Sequence, residues 1–112
     1  MTDNNSNTLM VRGIEGNSIQ FDFLQVKKSS MILRALNHKL RQQILKLLEE
    51  QSRLIVTEIY IKLRLEQSVA SQHLAILRRG GVVKTERDGK LIYYSLNHQR
   101  ISEIGKCVLE LV

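Results

Sequence analysis

Five polar side chains between residues 65 and 83 have the types and the spacing that nucleic-acid binding needs. On a helix with 3.6 residues per turn, Ala70, Leu74 and Leu77 fall on one side. The opposite side then carries Ser68, Ser71, Gln72, Arg78 and Arg79. Hydroxyl, amide and guanidinium groups hydrogen-bond phosphate oxygens and base edges. Because a solvated helix face has the same polarity, the neighbouring elements have to decide between the two interpretations.

The segment before this helix predicts a second helix close to it. Thr57 is a natural N-cap, and the apolar spacing that follows it predicts a helix that ends near Arg64. Only two or three residues then precede the next helix, which begins near Gln67. Two helices joined by so short a turn, the second with a polar outer face, are typical of a helix-turn-helix.

A basic β-hairpin is predicted after the helix-turn-helix. Residues 82–87 and 91–96 are β-branched or aromatic runs on either side of an Asp-Gly pair, which is a strong hairpin signal. Arg87 and Lys90 lie at the turn. An exposed turn has little structural reason to be basic, so these two cations favour contact with a polyanion.

Three more helices are predicted around these elements. Apolar residues at i, i+4, i+7 and i+8 predict a helix over residues 38–50, with Asn37 as its N-cap and Arg41 on its polar side. Helices are also predicted over residues 19–36 and from about residue 98 to the end, the last with Asn97 as its N-cap. Residues 1–17 are rich in Asn, Ser, Thr and Gly, which predicts a flexible arm before a single domain at 18–112.

The first and last helices carry more apolar residues than one core needs. The first is apolar on more than one side, and the last has a seam with 3-4-3 spacing of the coiled-coil kind. Packing against a second chain explains both patterns. We therefore expect a dimer interface that contains Phe23, Leu24, Ile101, Ile104, Val108 and Leu111.

Charge and composition narrow the class of protein. Seventeen Lys and Arg against eleven Asp and Glu give a net charge of +6, which favours nucleic acid or an anionic membrane surface as partner. No apolar run is long enough to span a bilayer, and the N-terminus lacks the pattern of a signal peptide. A single cysteine, Cys107, excludes an internal disulfide. These features predict a cytoplasmic protein.

In order and spacing, the predicted elements resemble the ArsR family of winged-helix bacterial repressors. The resemblance covers residues 33–111 and depends on the runs at 33–41 (LRALNHKLR), 68–78 (SVASQHLAILR), 81–83 (GVV) and 93–96 (YYSL). It implies a mostly α fold with a small β-hairpin: a winged helix-turn-helix of five helices plus a two-stranded wing. It also implies a homodimer, paired through the first and last helices, that binds double-stranded DNA at an imperfect inverted repeat and leaves when a signal arrives.

The resemblance places the helix that begins near Gln67 in the major groove and the wing along the flanking backbone or minor groove. His73 lies beside the apolar side of that helix, so a packed, hydrogen-bonded histidine is as good an interpretation as a base contact. Tyr93 and Tyr94 alternate across their strand, and only one of them can face inward. The predicted DNA-binding residues are Gln67, Ser68, Ser71, Gln72, His73, Arg78, Arg87 and Lys90.

Metal sensing, known in this family, is not predicted here. Ile55 and Thr57 occupy the positions that match the family's thiolate site, and neither binds a soft metal. At the family's second site, Asn97 opens the last helix and Leu109 stands where a histidine is expected. We therefore expect no metal and no cofactor. A redox switch between subunits through Cys107 stays an open alternative.

Three other function classes compete with sequence-specific DNA binding. A winged helix can also serve as a protein-interaction scaffold, although such a face more often exposes aromatic or aliphatic anchors. RNA binding ranks lower because aromatic residues, the stacking platforms for bases, are only 4% of the chain. An enzyme is not expected, since the sequence has neither a Gly-rich phosphate loop nor a nucleophile beside a recognisable base.

Overall fold

The computed structural model describes residues 8–13 and 16–112. These residues divide into two compact units, one up to Arg34 and one from Ala35 onward. No helix within the described ranges is long and apolar enough to cross a membrane. The elements in chain order are β1 (Thr8–Arg12), β2 (Ser18–Asp22), α1 (Phe23–Leu36), α2 (Lys39–Gln51), β3 (Arg53–Ile55), α3 (Val56–Leu63), α4 (Gln67–Arg79), β4 (Val83–Asp88), β5 (Leu91–Leu96) and α5 (His98–Leu111).

The fold class predicted from the sequence is confirmed: a winged helix-turn-helix with five helices and a two-stranded wing. The wing strands β4 and β5 pair antiparallel, with Asp88 opposite Leu91. Gly89, the first of the two turn residues, has φ +65°, as a type II′ hairpin turn requires. The sequence did not predict that β3 would join the wing, which gives a sheet in the order β3-β5-β4.

The core of the second unit joins α2, α3 and α4 to this sheet. Each large aliphatic side chain in it gains about 1.5–3 kcal/mol relative to an exposed position. Because α4 buries its apolar side in this core, its opposite side is fixed toward solvent. The buried cluster consists of Ile44, Leu48, Leu54, Ile59, Leu74, Leu77, Val82, Val83 and Leu96.

The N-terminal region differs from the predicted arm and helix. β1 and β2 form an antiparallel hairpin, and α1 begins at Phe23 rather than near Ile19. Asp22 ends β2, and its carboxylate Oδ1 accepts a hydrogen bond from the backbone N–H of Leu24 at 2.9 Å, which caps α1. Residues 1–7 and 14–15 of the predicted arm lie outside the described residues, and the division into an arm at 1–17 and a domain at 18–112 stays a prediction.

Two of the three predicted N-caps were wrong. His38, not Asn37, caps α2, and its Nδ1 accepts from the backbone N–H two residues later at 3.1 Å. Helix α3 begins one residue before Thr57, with Ile55 at the cap position. The predicted cap of α5 is confirmed, because Asn97 Oδ1 accepts a backbone N–H of the first turn at 3.2 Å.

Candidate nucleic-acid interface

The outer side of α4 presents the polar face that the sequence predicted. Gln67, Ser68, Ser71 and Gln72 are all exposed, while the side chains on the opposite side are buried in the core. None of the four side chains hydrogen-bonds another described residue. Four donor and acceptor groups therefore project from a rigid helix and are free to bind an external partner.

The turn between α3 and α4 fixes the direction in which α4 projects. Arg64 adopts a left-handed conformation, with φ 57° and ψ 47°, where a glycine is more usual. The backbone N–H of Leu65 then donates to the carbonyl of Tyr60 at 2.9 Å. The strain of a left-handed arginine, of order 1–3 kcal/mol, is carried by the packing of the two helices. The short helix-turn-helix connection is therefore achieved without glycine.

A hydrogen-bonded cluster supports one flank of the α4 face. Arg41, which the helical pattern placed on a polar side, is in fact buried, with 9% of its surface exposed. Its Nε donates to the carbonyl of Ala35, and its Nη1 lies 3.2 Å from Nδ1 of His73. Since arginine only donates, His73 Nδ1 is the acceptor. The structure thus supports the interpretation of His73 as a packed, hydrogen-bonded histidine, with its Nδ1 engaged by Arg41.

The surroundings of His73 favour its neutral form. Burial lowers the pKa of the imidazole from its ordinary value of 6.5, and the neighbouring His38 and Arg41 lower it further. The rings of His38 and His73 lie 4.7 Å apart at a tilt of 48°. Protonation of His73 would remove the acceptor for Arg41 and place two cations side by side.

A groove between α4 and the wing forms the other flank of the face. Its volume is about 440 Å³, and its lining includes one hydroxyl and two guanidinium side chains from α4, opposite a tyrosine of β5. Guanidinium and hydroxyl groups at this spacing suit an anionic oxygen such as that of a phosphate. The residues that line the groove are Ser71, Ala75, Arg78, Arg79 and Tyr94.

Three of these groove residues were missed among the predicted DNA-binding residues: Ala75, Arg79 and Tyr94. Their helical spacing from Ser71 was visible in the sequence, but the position of the wing was not. The structure also separates the two tyrosines, because Tyr94 lines the groove and packs against the core, whereas Tyr93 lies under the guanidinium of Arg53 at 3.9 Å.

The wing carries both cations and carboxylates. Arg87 and Lys90 are exposed at its tip, as predicted. Arg53 of β3 reaches across the sheet, and its Nη1 and Nη2 lie 3.3 Å and 3.5 Å from the carboxylates of Glu86 and Asp88. Exposed ion pairs of this kind add little to stability. Their effect on a polyanion is larger, since Arg53 offsets two negative charges that would otherwise oppose Arg87 and Lys90.

The residues predicted for a dimer interface divide into two groups. Ile101 and Ile104 of α5 pack partly against the core of their own chain. By contrast, Phe23, Leu24, Val108 and Leu111 are 36–71% exposed and contribute little to that core. The exposed group lies on α1 and on the second half of α5, so the apolar surface left open is concentrated in these helices.

Within residues 8–13 and 16–112, no three His, Cys, Asp or Glu side chains converge in a way that could hold a metal ion. Cys107 is exposed and has no disulfide partner. His98, which begins α5, pairs instead with Glu49 of α2, with 3.0 Å between Nε2 and Oε2. The described part of the chain thus offers hydrogen-bonding and cationic groups for a partner rather than a metal-ligand cluster.

Comparisons with known proteins place these features in context. Residues 38–85, which span α2, the helix-turn-helix and the first part of the wing, match the family described as bacterial regulatory protein, arsR family. The transcriptional repressor PagR of Bacillus anthracis is 34% identical over 87 residues, 78% of this chain and 87% of that protein. The transcriptional activator HlyU of Vibrio cholerae is 36% identical over 85 residues, 76% of this chain and 74% of that protein.

Solved structures show the same architecture. The crystal structure of PagR superposes with a TM-score of 0.63 and covers 78% of this chain and 99% of that chain. The homodimeric winged helix-turn-helix DNA-binding domain of Mb0332 from Mycobacterium bovis, at 25% identity, superposes with a TM-score of 0.66 and covers 79% of this chain and 82% of that chain.

The lowered pKa of His73 predicts a pH-dependent stability. Because the folded protein binds this proton less tightly than the unfolded chain does, the free energy of unfolding should fall as the pH drops below about 6.5. His73→Gln keeps a hydrogen-bond acceptor for Arg41 but does not titrate. Urea unfolding between pH 5.5 and 7.5, at one fixed protein concentration, should therefore show a shallower pH dependence for this variant. Parallel profiles for the two proteins would contradict the assignment.

Proposed function

Since the chain belongs to the ArsR family of bacterial regulatory proteins, we propose that it is a dimeric repressor that binds an inverted-repeat DNA operator. Family membership makes it a DNA-binding transcriptional regulator and not an enzyme. The dimer, the operator and release by a signal are the proposed parts. The observation that carries the proposal is the outer face of α4, whose four unengaged polar side chains project between the His73 cluster and the wing groove.

Base recognition is assigned to the middle of this face. A B-DNA major groove is about 12 Å wide and admits one α-helix. Gln72 can donate to and accept from an adenine edge at the same time, and Ser68 and Ser71 can bond neighbouring base edges. Gln67, in the first turn of α4, lies where backbone N–H groups also bind phosphate. His73 takes a supporting role, because its contact with Arg41 helps to orient α4.

Backbone contact is assigned to the groove and the wing. Arg78, at the end of α4, would hold a phosphate in the groove beside the tyrosine hydroxyl. Arg87 and Lys90 would follow the flanking backbone or the minor groove. Their positive charge supplies affinity without sequence preference, so these contacts position the protein while α4 reads the bases.

A homodimer would present two α4 helices to two half-sites about one helical turn apart. Support comes from the exposed apolar residues of α1 and α5 and from the homodimeric form of the Mb0332 domain. Repression in particular is supported by the similarity to PagR. A regulator of this kind works beside its operator, which places it in the cytoplasm. Release would follow a signal that changes the geometry or the stability of the dimer.

Gln72→Ala tests the assignment of base readout. We expect about 1–3 kcal/mol weaker binding to a duplex selected for tight binding, because a bidentate base contact is lost. Binding to a scrambled duplex should change little, since phosphate contacts stay intact. Fluorescence anisotropy measures both affinities, and Gln43→Ala, an exposed glutamine of α2, is the matched control. Equal losses on both duplexes would remove Gln72 from the readout residues.

Lys90→Ala tests the assignment of the wing to the phosphate backbone. This variant should bind the selected and scrambled duplexes more weakly by the same factor. The slope of log affinity against log salt should also become shallower by about 0.9 for the lost phosphate contact. Lys46→Ala, an exposed lysine of α2, serves as the control with the same change of charge. An unchanged salt slope for Lys90→Ala would mean that the wing tip does not contact DNA.

A further inference from the structure

The N-terminal hairpin has one face that is entirely apolar. In its register, Leu9 lies opposite Phe21 and Val11 lies opposite Ile19. Residues directly opposite each other, and those two apart on one strand, share a face of the sheet. These four aliphatic and aromatic side chains, here called the apolar hairpin face, therefore lie together. The other face carries mainly polar residues: Thr8, Met10, Arg12, Ser18, Gln20 and Asp22.

The apolar hairpin face is only partly covered. Its four side chains are each 41–52% exposed. A two-stranded hairpin is marginally stable in water unless a third element packs against it, and unpaired strand edges are a template for association. A half-exposed apolar face on such a hairpin indicates that a further surface covers it in the functional protein.

The hairpin is joined directly to a helix with the same property. β2 ends at Asp22 and α1 begins at the next residue, where the Asp22 carboxylate caps the helix. No linker separates the two elements. Five large apolar side chains of α1 are also exposed: Phe23, Leu24, Val26, Met31 and Leu33. The hairpin thus extends the exposed apolar surface of α1 without interruption.

We infer that the apolar hairpin face packs against a second copy of this chain and extends the dimer interface beyond α1 and α5. This inference rests on the proposed dimer. A two-fold interface pairs one patch with the same patch on the other subunit, and an apolar patch is complementary to itself. The chain as a whole has a net charge of +6, so two copies repel elsewhere on their surfaces. DNA is an unsuitable occupant, because this face offers neither cations nor hydrogen-bonding side chains.

Interface size supports the same occupant. A stable interface usually buries about 800 Å² on each partner. The hairpin face adds four large apolar side chains to those exposed on α1 and α5. The addition would make the interface both larger and more apolar, as is typical of dimers that are stable at low concentration.

Two adjacent substitutions on β2 separate this inference from its alternatives. Ile19→Lys adds a charge to the apolar hairpin face, whereas Gln20→Lys adds the same charge to the polar face one residue away. Sedimentation velocity over a range of concentrations should give a dimer dissociation constant at least roughly tenfold higher for Ile19→Lys, because burial of a charge is costly. Gln20→Lys should stay within about threefold of the wild type.

The outcomes distinguish this inference from the proposed function. A wild-type chain that stays monomeric would overturn the proposed dimer and the inference with it. A dimeric wild type with equal dissociation constants for both variants would overturn the inference alone and leave the apolar hairpin face to a different protein partner.

Hydrogen exchange on the wild-type protein removes dependence on how Ile19→Lys folds. Peptides that cover β1 and β2 should exchange more slowly above the dimer dissociation constant than below it. The slowing should exceed that of a peptide from α3, which corrects for the general stabilisation that dimerisation brings. The same change in the hairpin and in α3 would contradict the inference.

Discussion

The buried guanidinium of Arg41 is the contact on which the reading face depends. A buried cation is costly unless its donors find acceptors, and Arg41 donates to the Ala35 carbonyl in the last turn of α1 and to His73 on α4. One side chain of α2 therefore connects the end of α1 to the helix that carries the DNA-contacting residues. The aliphatic core holds α4 in place, and this polar contact specifies the position of one flank of its face.

Local signals in the sequence were sufficient for much of the site. Helix α4 has the predicted bounds, from Gln67 to Arg79, because its apolar period, the short turn before it and the glycines after it agree. Arg41 could not be recognised in this way, since a buried arginine has the same helical spacing as a surface one. Arg53 was missed for another reason: its contacts with Glu86 and Asp88 depend on the pairing of β3 with β5, which no local pattern encodes.

The N-terminal hairpin shows how a period can be misread. Ile19 and Phe21 were counted with the apolar residues of a helix, because the five-residue strand is too short to establish an alternating period by itself. Only the partner strand, with Leu9 and Val11 opposite them, makes the alternation evident. The apparent excess of apolar residues in the first helix therefore belongs to two elements. In our account both contribute to the dimer, which sets the distance between two α4 helices.

Selection from a pool of random-sequence duplexes tests the central claim most directly, because the operator sequence emerges from the experiment itself. The account predicts enrichment of an inverted repeat whose half-site centres are about one helical turn apart. The enriched site should bind two chains and be preferred roughly a thousandfold over a scrambled duplex at near-physiological salt. Binding without enrichment, with a steep loss of affinity as salt rises, would contradict the account, because the protein would then be reading charge alone.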